Sequence, residues 1–350
     1  MMWKILENVQ TNKDQWSIRE IDCFTKPHAL AIESLLPNKG LYDSYLYYLA
    51  LSKSYGFCHN FEEGQNWAFD VHPFVANLLG FKYDKQTCKN SSELQKFIKD
   101  KIDAGQPVLV PGNLRNLYYS WSYKTTDGLH IFLIKGYNEE LGLYSIQDCM
   151  HNFESIPDFN KTSESFTSFL LPMNVLIDCW EALHEFDEFY YLGSYYLDKA
   201  ITIEKPVSEP YYSSNKEKLE YFANFSTYEQ LPSYFREISV FGSNISKLDV
   251  SSKAVDEQFR EAMLDIFFGS KRACLSMVKD LISEFVDEEK MNMINNHISK
   301  IISGWAQFKD LFYLHALRGN LKNIKELEYV YKPILDMEQE LMVIVKKCIS

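Results

Sequence analysis

The chain is short of several things that would define a class. Its 350 residues include only 14 Gly and 11 Pro, too few for a fibrous or linker-dominated protein. The seven cysteines (Cys23, Cys58, Cys88, Cys149, Cys179, Cys274 and Cys348) are odd in number, scattered, and contain no CxxC pair. A disulfide framework or a structural zinc site would be spaced differently. Lys and Arg number 36 against 48 Asp and Glu, a net charge of −12. A non-specific nucleic-acid binder needs a basic surface to displace counterions, so nucleic acid is not an expected partner. The longest apolar stretches, such as Ser168–Leu176 and Leu341–Val345, fall well short of the ~20 residues of a membrane span. Met1-Met-Trp-Lys-Ile-Leu-Glu-Asn8 carries no apolar h-region, so no secretory signal is expected. No repeat recurs at a fixed period. These absences predict a reduced, cytoplasmic, globular protein without a membrane partner.

What is present fits that class. Apolar residues make up 46% and charged residues 24%, and the 15% aromatic content includes 23 Tyr and 24 Phe. At roughly 150 residues per domain the length allows two domains, or one with an appendage. Helical spacing is expected at Phe24–Leu36, Tyr42–Ser52 and Phe69–Leu79. Ser91-Ser-Glu93 then opens a fourth helix over Leu94–Ala104, stopped by Gly105-Gln-Pro107. The period then changes to strand at Val108–Val110, His130–Ile134, Leu143–Gln147 and Phe166–Leu171, with Asn138–Gly142 as a polar turn. Helices followed by consecutive antiparallel strands make an α+β pattern. A Pro- and Ser-bearing stretch near 205–218 reads as a linker. Beyond it the apolar spacing is helical throughout: Phe259, Met263, Ile266 and Phe267; Met277, Leu281 and Phe285; Ile298, Ile301, Ile302 and Trp305; Ile334, Met337, Leu341 and Ile344. We therefore expect an α+β domain over 1–204 and a helical domain over 205–350.

Three residues point to chemistry together. Cys23 sits where the chain enters its first helix, because Pro27 lacks an N–H and is tolerated in a first turn. A thiol there meets unpaired backbone N–H groups and the positive end of the helix dipole, which favour thiolate. His130 opens one strand and Asp148 closes the next across a tight turn, so the hairpin brings them side by side. A carboxylate beside an imidazole fixes its tautomer and stabilises imidazolium, and the imidazole can take and return the thiol proton. Singly, each has a plainer reading. A lone cysteine is usually a small buried residue, a strand histidine is usually structural, and an aspartate can simply cap a turn.

Their order resembles that of the papain-like C39 peptidases and, more closely, the N-terminal-domain family of butirosin biosynthesis protein H. The resembling residues are Asp22-Cys23 before an apolar helix, Gly105-Gln-Pro-Val-Leu-Val110 with Leu117-Tyr-Tyr119, and His130-Ile-Phe-Leu-Ile-Lys-Gly-Tyr137 running to Tyr144-Ser-Ile-Gln-Asp148. The resemblance spans about residues 20–175. It implies a papain-like fold with a nucleophile helix and an antiparallel sheet. It also implies an acyltransferase that moves an acyl group from a carrier-protein 4'-phosphopantetheine thioester, through a Cys23 acyl-enzyme, onto an amine. No bound cofactor or metal is implied, and the partners would be an acyl or peptidyl carrier protein and the amine acceptor. A cysteine peptidase or amidase with the same triad is the alternative. Papain-like enzymes place a glutamine before the nucleophile to help form the oxyanion hole. Here Gln15, eight residues before Cys23, takes that part, or the backbone N–H groups of Cys23 and Phe24 act without it. Tyr118, Tyr119 and Trp121, just before His130, are candidates to line a substrate channel, or else pack as core or surface aromatics. Cys58-His59 and Cys149-Met-His151 pair thiol with imidazole but lack two further ligands, so no metal site is expected.

Overall fold

The computed structural model describes residues 2–9, 24–37, 39–56, 67–120, 122–149, 166–185, 196–205, 214–224, 268–317 and 324–350. Gln15, Cys23 and Trp121 lie outside the described residues, as do Cys58-His59 and the apolar pattern at 259–267. Two compact units divide the chain. One takes Met1–Leu46 with His72–Tyr212, and the other Tyr47–Val71 with Ser213–Ser350.

The first unit is α+β. Its elements in chain order are β1 (Lys4–Ile5), α1 (Thr25–Leu35), the start of α2 (Leu41–Leu51), most of α3 (Trp67–Leu78), β2 (Lys82–Thr87), α4 (Ser91–Asp103), β3 (Val108–Asn113), β4 (Leu129–Asn138), β5 (Leu143–Cys149), β6 (Phe166–Pro172), α5 (Met173–Glu181) and β7 (Lys199–Glu204). The strands form one sheet in the order β2-β7-β3-β4-β5-β6, with β1 added against β4, and every pairing is antiparallel. The four strands expected from apolar runs are β3 to β6. Of the three that were not, β1 is a two-residue strand against β4, while β2 and β7 pair with each other, and β2 is a sheet edge. The β2 sequence, Lys-Tyr-Asp-Lys-Gln-Thr, carries no apolar run because an edge strand keeps charge toward solvent.

Local chemistry fixes the boundaries. Asn90 caps α4, its side-chain oxygen accepting from Glu93 N at 2.9 Å, while the Glu93 carboxylate accepts from Lys89 N at 2.9 Å. The first bond satisfies a donor that a helix start leaves orphaned, and the second ties the residue before the cap to the first turn. That cap starts the helix at Ser91, three residues before the expected Leu94. The turn between β4 and β5 closes on Asn138, whose Oδ1 accepts from Leu141 N at 3.0 Å, and on Gly142 at φ +63°. That backbone region favours glycine. Between Ile134 and Gly136 the pairing of β4 with β5 slips by one residue in a β-bulge.

Register decides what covers each face of the sheet. Val108, Val110, Phe132, Ile134 and Ile146 share a core with Leu94, Ile98 and Ile102 of α4 and with Leu176, Ile177, Cys179 and Trp180 of α5. The reverse face carries Leu109, which stands opposite both Leu133 and Ile201, and Ile203, which stands opposite Tyr83. The Tyr83 hydroxyl meets His28 Nε2 of α1 at 3.0 Å, so α1 packs on that side. Every α1 residue except Glu33 is buried, as befits a central helix. Pro27 falls in its first turn.

The described part of the second unit is helical, with α6 (Asn215–Ala223), α7 (Gly269–Ile282), α8 (Glu288–Leu317) and α9 (Ile324–Ile349). A full capping box at Ser214 and Glu217 starts α6. At its centre the Lys271 ammonium lies 2.9 Å from both carboxylate oxygens of Glu338, and Trp305 Nε1 donates to Glu338 Oε1 at 2.6 Å. All three side chains are buried. A Cβ on Gly304 would stand 2.9 Å from Ile334 Cγ1, so the glycine lets α8 and α9 approach closely. Among the described residues no helix is long and apolar enough to cross a membrane.

Candidate active site

His130 is the second residue of β4, and Asp148 is next to last in β5. The register that sets Leu133 opposite Gln147 and Ile134 opposite Ile146 runs on to set Phe132 opposite Asp148. His130 and Asp148 are therefore diagonal neighbours on one face, within reach of side chains of this length. His130 Nε2 and Asp148 Oδ1 are 2.7 Å apart and both side chains are buried. The sequence expectation that the hairpin joins these two residues matches this geometry. They stand diagonal rather than directly opposed.

The pair is walled by apolar and aromatic groups. The Phe132 ring meets the imidazole edge-on, with centroids 4.9 Å apart and planes at 83°. Gly112 stands opposite His130 on β3, and a Cβ there would lie 2.7 Å from Phe132 Cε2 and 3.0 Å from Cys179 Cβ. The absence of a side chain at Gly112 lets α5 lie directly on the sheet beside the imidazole. Cys179 itself is fully buried, and burial, then Asp178 and Asp148, push its thiol up to about 12. It is a packing residue in its neutral form rather than a nucleophile.

The segment entering β4 is tied from below. Asn113 Nδ2 donates to Asp127 Oδ1 at 2.8 Å, and its Oδ1 accepts from Arg115 N at 3.0 Å and Gly128 N at 3.2 Å. One buried amide thus holds both ends of the loop that delivers His130. Sequence reasoning passed over Asn113, although a polar residue closing an apolar run before Asp127-Gly128 was a signal for it.

The three aromatic candidates diverge. Tyr118 is 52% exposed. Trp121 lies outside the described residues. Tyr119 turns inward, stacks on Phe169 with centroids 5.6 Å apart, and donates its hydroxyl to Asp148 Oδ2 at 2.6 Å. Burial, reinforced by the Asp148 charge and that hydrogen bond, holds its hydroxyl well above the ordinary tyrosine range. It remains a donor at any working pH.

Asp148 thus meets His130 of β4 at Oδ1 and Tyr119, from the segment before β4, at Oδ2. This geometry can hold an imidazole in one tautomer, with Nε2–H toward the carboxylate, and stabilise its charged form. Comparison with known families bears on the same segment. Residues 31–149 match the family model for butirosin biosynthesis protein H, N-terminal. The resemblance read from the sequence is shown for this stretch, which contains both His130 and Asp148. It begins after Cys23 and Gln15, so the butirosin biosynthesis protein H match carries the histidine–aspartate pair and leaves the nucleophile to the sequence argument. No curated protein matches the chain.

Proposed function

We propose that the chain is a biosynthetic cysteine acyltransferase of papain-like fold that forms an amide from a carrier-bound thioester. The observation that carries this reading is the buried His130 Nε2–Asp148 Oδ1 contact on adjacent strands, inside the segment that matches the butirosin biosynthesis protein H family. That family's name supports a role in making a natural product.

With Nε2 committed to Asp148, the ring nitrogen that exchanges protons with substrate is Nδ1. In the first half-reaction Nδ1 takes the Cys23 thiol proton, and the thiolate attacks the thioester carbonyl. The carbon–sulfur bond to phosphopantetheine then breaks, and its sulfur leaves with the proton from Nδ1. In the second, an amine attacks the Cys23 thioester, its proton passes to Nδ1, and Cys23 leaves as the thiol. Exchange of one thioester for another is close to balanced, and aminolysis of a thioester runs downhill, so neither ATP nor a metal is needed. Water competes for the acyl-enzyme, and the apolar wall of Phe132, Phe169 and Tyr119 around the pair disfavours its entry. Gln15 or the backbone N–H groups of Cys23 and Phe24 would receive the oxyanion. Because α1 packs on the reverse face of the sheet from His130, the mechanism requires the sulfur to reach Nδ1 around the start of β4.

Intact-protein mass after incubation with acyl-pantetheine thioesters tests this. The expected result is an acyl adduct on wild type, absent from Cys23→Ala and discharged faster by added amine than by water. An adduct lost mainly to water would make the chain a hydrolase. No adduct, with Cys23 inert to iodoacetamide, would leave a protein that binds without chemistry.

A further inference from the structure

Asp148 poses a problem of charge. It is fully buried among Phe132, Ile146, Phe169 and Cys179, and an apolar site of that kind drives a carboxyl to take a proton. A neutral Asp148 would give His130 no electrostatic support. The imidazole supplies one donor, to Oδ1. The second oxygen is met by the Tyr119 hydroxyl at 2.6 Å, a short donor–carboxylate contact of the stronger, charge-assisted kind. The tyrosine cannot easily swing away. Its ring lies between Phe169, stacked at 14°, and Tyr118, set edge-on with centroids 5.3 Å apart.

We propose that Tyr119 is a positioning residue of the His130–Asp148 pair, holding the carboxylate by Oδ2 so that it stays ionised with Oδ1 aimed at His130 Nε2. Its hydroxyl stabilises the charged form of Asp148 and orients it, and it touches neither substrate nor the reacting atoms. The assignment replaces a channel-lining role for this aromatic. It goes beyond the acyl-transfer reading, because it concerns the ionisation of Asp148 whatever the reaction.

Tyr119→Phe removes the hydroxyl and keeps the ring on Phe169. In the full-length chain labelled with ¹³C at the aspartate carboxyls, Asp148 is identified by the signal that Asp148→Asn removes. We expect Tyr119→Phe to move the Asp148 titration upward by about one pH unit, a tenfold change in proton affinity. An Asp148 titration unchanged by Tyr119→Phe overturns the proposal. Should Tyr119→Phe melt far below wild type, the wild-type titration decides: Asp148 ionised down to about pH 5 supports it, and Asp148 protonated near neutral pH overturns it. The kinetic companion is the acid limb of Cys23 acylation, which should rise by the same step in Tyr119→Phe, with the apparent KM for thioester unchanged. If the carboxyl signal moves while wild type forms no acyl adduct, the Tyr119 assignment stands and the acyl-transfer reading falls.

Discussion

Gly112→Ala isolates one close approach on which the site's architecture depends. The Gly112 φ lies outside the left-handed region, so alanine meets no backbone penalty there. A residue with fewer unfolded conformations should, on that ground alone, stabilise the fold by about 0.4–1 kcal/mol. Against this, the new methyl would sit 2.7 Å from Phe132 Cε2, 3.0 Å from Cys179 Cβ and 3.4 Å from the Cys179 carbonyl carbon. The first contact is a side chain and the others belong to α5, so both the ring and the helix must give way. Overpacking of a filled core costs about 1–3 kcal/mol. The balance is a net destabilisation of about 1–2 kcal/mol, which lowers Tm by about 2–8 °C for a unit of this size. Phe132→Leu in the same chain should recover part of it, as a coupling between touching residues. Chemical denaturation of the single and double variants measures both quantities. A Gly112→Ala variant as stable as wild type, or one that Phe132→Leu makes worse additively, would refute the packing argument. Because the Phe132 ring lies edge-on to His130, the same variant should also slow any His130-dependent step.

Asp148→Asn should leave the fold intact and cut Cys23-dependent acylation by up to about four orders of magnitude, since the Tyr119 hydroxyl holds the amide oxygen and turns the NH2 to the imidazole, which selects the wrong tautomer; single-turnover acylation rates check this. In the second unit, Glu338→Gln strips the carboxylate from the buried Lys271 ammonium, and should cost about 3–5 kcal/mol in denaturant unfolding, while Lys271→Met with Glu338→Leu should recover most of the loss. Tyr137 donates to Asp103 at 2.8 Å, and burial, then that bond, push its hydroxyl up to about 12. Its folded-state value exceeds the ordinary unfolded one of about 10, so the stability it contributes is complete below pH 10 and declines as pH rises toward 12. Tyr137→Phe should flatten the decline in that window relative to wild type, as measured by urea midpoints at several pH values.

Much of this is legible in the sequence. The run His130-Ile-Phe-Leu-Ile134 is apolar at every position after the histidine because β4 is buried on both faces, and a turn followed by a second run identified the hairpin. The same feature hid the rest. A strand buried on both faces gives no alternation from which to read which side His130 occupies, so the placement of α4 and α5 beside it, and of α1 opposite, came only from register. The edge strand β2 and its partner β7 escaped because β2 is polar and β7 mixes Lys, Thr and Glu with its apolar residues. Tyr119 was visible as one of a cluster of aromatics, but nothing in its neighbours shows that its hydroxyl points inward to Asp148, 29 residues on.

The bulge in β4 acts as a phase shifter. On its turn side, Gly136 pairs with Ser145, Tyr137 with Tyr144 and Asn138 with Leu143; on its far side, Ile134 pairs with Ile146 and Leu133 with Gln147. Carried on without the slip, the first register would set Leu133 opposite Asp148, and the carboxylate would project from the side of the sheet that α1 covers, with the imidazole on the other. The extra residue inverts the parity of everything beyond it and puts donor and acceptor in step. Gly136 makes room for this, since a Cβ there would strike the backbone of β1 at Lys4 O and Ile5 Cα. The alignment of His130 with Asp148 is therefore set by a one-residue offset near the turn: deleting Lys135 would remove the bulge and keep Ile134 opposite Ile146, whereas deleting Leu133 would set Ile131 opposite Asp148 and part the two residues without altering either.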